Sequence, residues 1–454
     1  VIVIKFGGTS VGDADRVANA VAIVAKRQHL RPIVVVSALA GVTNELIAAT
    51  EAAKAGNLDG VNKILDGVLM RHENVATRLV QQKFDFYENF LTKLHNELAA
   101  AKTILQGICL LREITPRAKD KVLAIGEKLS SVLFAHSMMI RALASEAVEC
   151  ELIETDDRFG DANPNMEATR RNAHDVLLPL VERNVIPVMG GFIGRTEDGA
   201  TTTLGRGGSD YSAAIIGAAV GADEIQIWTD VDGMMTCDPR LIPGARVIER
   251  IAYDEAAELA WFGAKVLHPK TIAPAVGLNI PVRVLNTHNV ASPGTVITRD
   301  GDDRGAGPRA VAVKRNIAVV HMTSNKMLGA HGFLAHIFAI FEELEISVDL
   351  ITTSEVSVSV TIDNKENLPA LKEKLVDVDV RIDDNQSIIA VVGRNLMGES
   401  MVGPAIFDAL QGVPLTMFSL GRSGLNLSIV VEDRDADRAI KSIHHALFEA
   451  PVCA

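Results

Sequence analysis

The sequence predicts an α/β protein: a sandwich of helices around a mostly parallel sheet, followed by two small ferredoxin-like modules. Three observations carry the prediction. Strand-length apolar runs alternate with helical stretches from Val1 to about residue 300. A polar segment rich in Gly and Asp, Thr298–Pro308, then breaks the pattern and reads as a linker. Beyond it, Ala339-Ile340-Phe341-Glu342-Glu343-Leu344 is echoed by Ala405-Ile406-Phe407-Asp408-Ala409-Leu410, so the last third holds a repeat.

Each element follows from local pattern. Val1–Ile4 is a buried strand running into the turn Phe6-Gly7-Gly8-Thr9-Ser10, and Pro32–Ser37 is a second strand before a helix starting near Asn44. Asp59 to Leu143 is helical in period, broken at Pro116. Ala147–Ile153 and Val185–Met189 read as strands, Ser209–Val220 as a helix and Glu224–Trp228 as a strand. In the repeat, the strands Ile317–Met322 and Ile388–Val392 each precede a helix. Two strands then follow each helix, Ile346–Ile351 with Val356–Ile362, and Leu415–Leu420 with Leu425–Val431. Another helix follows each pair. That order, β-α-β-β-α, is ferredoxin-like. Units this short have thin cores, which predicts that the two pack together.

The expected domains are 1–300, 310–385 and 386–454, in line with the length of 454 residues. With 57 acidic against 45 basic residues and no dense Lys/Arg run, a nucleic-acid partner is not expected. Apolar runs such as Pro32–Val36 are far short of a membrane span, and no leader-like stretch precedes the first strand, so the expected location is cytoplasmic. Cys109, Cys150, Cys237 and Cys453 are scattered without a CxxC pair, which predicts reduced thiols and no metal site.

Four strings carry chemistry. In Lys5-Phe6-Gly7-Gly8-Thr9-Ser10 a lysine ends a buried strand, and two glycines and two hydroxyls follow. Such a turn presents a cation and free amides to a phosphate, although Gly-Gly after a strand is often only a turn. In Thr203-Leu204-Gly205-Arg206-Gly207-Gly208-Ser209-Asp210-Tyr211 three glycines lead into a helix N-terminus, which suits an anion, and Arg206 offers a fork matched to a carboxylate. Trp228-Thr229-Asp230-Val231-Asp232-Gly233 closes a strand, with Thr236-Cys237-Asp238-Pro239-Arg240 after it. Phe262-Gly263-Ala264-Lys265-Val266-Leu267-His268-Pro269 places another lysine near a helix end. No Walker A string and no GxGxxG fingerprint opening a strand–helix unit occur.

Together with Gly41-Val42-Thr43-Asn44, Gly126-Glu127 and Gly190-Gly191-Phe192-Ile193-Gly194, these strings make the chain resemble, end to end, the aspartokinase family of the amino-acid kinase superfamily. The resemblance implies an amino-acid kinase (carbamate kinase-like) αβα sandwich and two ACT domains. In this family the second ACT domain lies within the first, so the last residues are expected to return to the first module's sheet. It implies transfer of the γ-phosphoryl group of ATP, with Mg²⁺, to L-aspartate, the first step toward lysine, threonine and methionine. A kinase for glutamate, N-acetylglutamate or a nucleoside monophosphate, or a silent ACT sensor, are the other readings.

Carried over residue by residue, Lys5 and Asp210 are the implied catalytic pair, and Thr43, Glu127, Phe192, Arg206 and Ser209 hold aspartate. Lys5, Gly7, Gly8, Ser10, Thr229, Asp230, Met235, Arg240, Lys265 and Val266 line the nucleotide. Met235 stands where some relatives carry a tyrosine. The MLxxxGFLA and SVDLITTSEVS strings are similar to those of the lysine-inhibited branch. They imply an effector site of Met327, Ala330, Gly332, Phe333, Leu334, Val348, Asp349, Thr353, Ser354 and Glu355. L-lysine is the expected effector, with S-adenosylmethionine as a possible co-effector, in a homodimer or dimer of dimers joined through the ACT domains.

Overall fold

The computed structural model describes residues 1–148, 151–263, 267–301, 305–328, 331–376, 378–396, 398, 401–421 and 423–449. The chain forms two compact units: Val1–Met234 with Val266–Gly301, and Met235–Lys265 with Asp302–Ala454.

In chain order the first unit contains β1 (Ile2–Phe6), α1 (Ala14–Ala25), β2 (Pro32–Val36), α2 (Val42–Lys54), α3 (Leu58–Val80), α4 (Phe84–Leu111), α5 (Pro116–Leu123) and α6 (Ile125–Ile140). Next come β3 (Ser145–Ala147), α7 (Met166–Glu182), β4 (Ile186–Gly190), the hairpin β5 (Ile193–Arg195) and β6 (Thr201–Thr203), α8 (Gly208–Val220) and β7 (Glu224–Thr229). After β8 (Arg250–Ala252) and α9 (Tyr253–Trp261), which belong to the second unit, the first resumes with α10 (Pro269–Leu278), β9 (Val282–Asn286) and β10 (Thr295–Thr298).

The strands of this unit's main sheet lie in the order β3-β4-β2-β1-β7-β9-β10. Only the β9–β10 pair is antiparallel. Every residue of β1, β2 and β4 is buried, as a sheet covered on both faces requires. Alternation sends Ile2, Ile4, Phe6, Val34 and Val36 into one core with α1–α6. Val3, Ile33 and Val35 face the other side, where α8 packs with α7 and α10. Parallel pairing brings the ends of β1, β2, β4 and β7 to one edge, where α/β sheets hold their ligands.

Two local expectations need correction. The strand expected over Ala147–Ile153 ends at Ala147. Leu152 and Ile153 are buried in a loop whose bonds go to the β5–β6 hairpin, for example Arg195 N to Ile153 O. Likewise only Ile351 of the expected strand Ile346–Ile351 is in a strand. There the Thr361 side chain accepts the Leu350 amide and so takes the place of a ladder carbonyl.

The second unit continues with β11 (Gly307–Thr323), α11 (Phe333–Glu343), β12 (Ile351–Thr353), β13 (Ser357–Ile362), α12 (Leu368–Lys374), β14 (Asp379–Arg394), α13 (Val402–Ala409), β15 (Met417–Leu420), β16 (Asn426–Glu432) and α14 (Asp433–His444). Its sheet has the order β12-β13-β11-β14-β16-β15. The long strands β11 and β14 serve both repeats. Residues 317–323 and 379–383 complete the first module around one core, and residues 307–314 and 386–394 complete the second around another. Register shifts near Lys314–Ile317 mark where β11 passes between modules. The strand closing the second module thus precedes the first module in sequence, so the first module lies within the second, the reverse of the expected nesting. The last residues, 450–454, expected at the first module's sheet, lie outside the described residues.

Candidate active site

The turn after β1 is held down by the next strand, since the Gly7 amide donates to Trp228 O at 3.0 Å. Lys5, 7% exposed, sets its ammonium 2.5 Å from Asp210 Oδ1, so the first and second sequence motifs meet. A β-carbon at Gly7 would stand 3.5 Å from that ammonium, and one at Gly8 would press on Ala38 O at 3.1 Å. The two glycines leave the backbone bare beside the buried cation. Ser10 turns inward, with Oγ 3.1 Å from Thr287 Oγ1.

Asp210 stands in the first turn of α8, reached through Gly205 and Gly207 at φ +75° and +70°, values that favour glycine. No side chain caps this helix, and while the Gly208 amide donates to Gly205 O at 3.0 Å, those of Ser209 and Asp210 point to where an anion would sit. Between the two glycines Arg206 is exposed and, among the described residues, unpaired. Close approaches assemble the rest. A β-carbon at Gly191 would fall 2.7 Å from Ser209 Cα, and one at Gly190 2.9 Å from the Glu127 backbone. The end of β4 therefore draws α8 and the start of α6 together. Phe192, at φ +66°, lies over Gly208 and donates its amide to Ser212 Oγ at 2.8 Å.

Glu127 is 3% exposed, and its Oε2 is buried without a partner. Burial pushes its carboxyl up to about 8, against hydrogen bonds from the Ala38 amide and its own. Thr43 is half-buried in the first turn of α2. Arg71, which the sequence reading passed over, holds that turn by donating to Ala40 O at 2.5 Å and pairing with Glu45 at 2.5 Å. Asp120 was missed as well: its buried carboxylate accepts from the Gly160 and Thr203 amides at 2.8 Å and from Thr203 Oγ1 at 2.9 Å. Those partners lie 40 and 83 positions away, so no local signal exposes the role.

At the end of β7, Thr229 Oγ1 donates to Asp230 Oδ1 at 3.2 Å, and Thr229 O accepts from the Thr287 amide and hydroxyl. Met235 and Arg240 belong to the second unit. Met235 bridges to Val247, and the exposed Arg240 pairs with Asp238 at 2.6 Å. Lys265 and Val266 lie outside the described residues. Among the described residues no group of three or more His, Cys, Asp or Glu side chains is placed to hold a metal. No described helix is long and apolar enough to cross a membrane.

Of the expected effector residues, Ala330 is outside the described set. Gly332, at φ +80°, opens α11 without a side-chain cap, and Phe333 and Leu334 form its first turn. Met327 and Val348 are half-buried, and Thr353 and Glu355 are exposed. Ser354 Oγ lies 2.7 Å from Ser357 Oγ. Asp349 is already paired, with the Lys314 ammonium 2.7 Å from Oδ2.

Comparison with known proteins places this arrangement. The Amino acid kinase family matches residues 1–286, and the ACT domain matches residues 320–373 and 389–447. The chain is 38% identical to the chloroplastic aspartokinase 3 of Arabidopsis thaliana, over 99% of this chain and 82% of that protein. It is 36% identical to the lysine-sensitive aspartokinase 3 of Escherichia coli K12, over 99% of both. Among solved structures, E. coli aspartokinase III in complex with aspartate and ADP (R-state) is similar with a TM-score of 0.84 at 35% identity, covering 99% of this chain and all of that one. The same enzyme with lysine and aspartate (T-state) gives 0.81, again at 35% and with the same coverage. A buried lysine–aspartate pair at two glycine-rich strand ends, an amino-acid kinase match over more than half the length and full-length aspartokinase relatives agree: this chain belongs to the aspartokinase family and is an aspartate kinase.

Proposed function

We propose that the chain transfers the γ-phosphoryl group of Mg²⁺-ATP to the β-carboxylate of L-aspartate by positioning and electrostatics alone. The observation that carries this reading is the Lys5–Asp210 pair beside bare glycine backbone. The attacking carboxylate has an ordinary pKa of about 3.9 and needs no general base at neutral pH. What must be overcome is repulsion between it and the triphosphate. Lys5 supplies the cation, Asp210 holds its ammonium in place, and the amides of Gly8 and of Ser209 and Asp210 in the α8 turn donate to the phosphate oxygens. Mg²⁺ enters with the nucleotide, held chiefly by its phosphates, as this ion commonly is in phosphoryl-transfer sites. Glu127 Oε2, buried and unpartnered, suits the substrate ammonium, and Arg206 a carboxylate. A cytoplasmic location is part of the reading; among the described residues no helix is long and apolar enough to cross a membrane.

ADP release measured with aspartate and with glutamate tests the reading: aspartate-dependent turnover supports it, and equal or greater turnover on glutamate removes it. Arg206→Ala should raise KM for aspartate about 10- to 100-fold, as loss of a charged hydrogen bond does, while KM for ATP moves little. Equal rises in both constants would place Arg206 elsewhere.

Regulation is the finer part of the proposal. The lysine complex of the E. coli enzyme and the N-terminus of α11, which Gly332 opens without a side-chain cap, support L-lysine as a feedback inhibitor bound at the first ACT module. S-adenosylmethionine is a candidate co-effector. Assembly as a homodimer, or a dimer of dimers, through these modules is the expected quaternary state, and the exposed outer strand β12 leaves a sheet edge on which a second copy could pair. L-lysine should inhibit the wild type but not Asp349→Ala, and light scattering of the same sample should give a dimer mass or its multiple. Inhibition that survives in Asp349→Ala would move the site, and a monomer would end the assembly proposal.

A further inference from the structure

Asp349 is the carboxylate that the lysine reading places under an effector ammonium, yet the chain already fills it. Lys314, on β11, sets its ammonium 2.8 Å from Asp349 Oδ1 and 2.7 Å from Oδ2. The same ammonium lies 3.0 Å from Asp363 Oδ2 and 5.2 Å from the centre of the Trp261 ring. The Trp261 side chain is a further hydrogen-bond donor to Asp349. Two carboxylates and an aromatic face around one primary ammonium make a built ammonium site.

The Asp349 side chain is only 3% exposed, and both its oxygens are taken. An incoming ammonium reaches it only by displacing what is there. Lys314 has somewhere to go, because the side chain of Asp363 is half exposed. Trp261 is the last residue of α9. That helix lies against the ACT sheet through Glu255 with Arg309 at 3.3 Å and Glu258 with Asn426 at 2.5 Å. Beyond it, a β-carbon at Gly263 would meet Val313 O at 2.7 Å, one residue from Lys314. The sequence then runs on through Lys265 and Val266, the positions expected at the nucleotide.

We propose that Lys314 is an internal stand-in for the effector: an amino-acid effector whose ammonium takes Asp349 moves Lys314 onto Asp363 and frees Trp261, loosening the end of α9. This rests on the lysine reading and gives it a route of action. The effector must therefore carry a free ammonium, and its apparent affinity is set by competition with Lys314.

The test uses the full chain with L-lysine as probe, measuring calorimetric binding and initial rates side by side. Lys314→Met removes the competitor, so L-lysine should bind and half-inhibit at a concentration about tenfold lower. Trp261→Phe keeps the ring and loses the N–H. It should bind L-lysine at least as tightly as wild type while inhibition at saturation falls by more than about half. Trp261 is 48% exposed, so this variant decides the question if Lys314→Met does not fold. Unchanged or weaker half-inhibition in Lys314→Met, or full inhibition of Trp261→Phe, overturns the proposal while lysine regulation stands. A wild type that neither binds L-lysine nor responds to it removes the lysine reading, and the proposal with it.

Discussion

Lys5→Ala is expected to lower kcat by a factor of about 10²–10³ while the protein stays folded and KM for aspartate changes little. Removing one pre-organised charge from a dry phosphoryl-transfer site costs on the order of 3–4 kcal/mol in the barrier. The Lys5 ammonium is buried, anchored 2.5 Å from Asp210 and next to glycine backbone with no side chain to take its place. Asp210→Ala should cost a similar factor by another route, because it leaves the lysine in place but without its anchor. Circular dichroism and a thermal melt establish that both variants fold, and single-turnover rates then report on chemistry. Near-normal turnover in both would sink the assignment of this pair.

The second large effect concerns Glu127 and pH. Burial raises its carboxyl to about 8, so in the free enzyme at neutral pH it is mostly protonated. The substrate ammonium favours the carboxylate, so binding of aspartate should release close to one proton near pH 7, readable as buffer-dependent calorimetric heat. The sign is fixed by the raised value: KM for aspartate should fall roughly tenfold per unit as pH rises from 6 toward 8, then level off. Stability of the free protein runs the other way. The folded state holds the proton more tightly than the unfolded chain, so this group's contribution declines between its ordinary value and about 8. Glu127→Gln should abolish the proton release, flatten the pH dependence and raise KM for aspartate about 10- to 100-fold. A proton stoichiometry near zero for the wild type at pH 7 would rule out this account.

Much of the fold is legible because its causes are local. Pro32–Val36 is apolar throughout and bounded by polar residues, and it is a fully buried strand. Pro116 breaks the helical run and becomes the first residue of α5 behind its Thr115 cap. The glycines around Arg206 announce left-handed turns that no other residue type adopts as readily. The echo of Ala339–Leu344 in Ala405–Leu410 marks two modules because each needs the same helix face to cover its own sheet.

Where the sequence misleads, distance along the chain is the reason. Leu152 and Ile153 are apolar enough for a strand, but their neighbours are committed to a hairpin 40 residues on. Nothing near Lys314 shows that β11 will serve two modules, since that depends on β14 pairing with both of its halves. By itself the sequence determined the αβα and double-ACT architecture, the glycine-rich turns and the family to which the chain belongs. Periodicity, turn chemistry and short motifs act within a few residues. Only the tertiary structure decided that Lys5 meets Asp210, that Asp120 pins Thr203, that burial raises the Glu127 carboxyl and that Lys314 already occupies Asp349. Each of these is set by burial and by partners brought together across tens to hundreds of residues, where charge–charge distance and desolvation, not local propensity, fix the outcome.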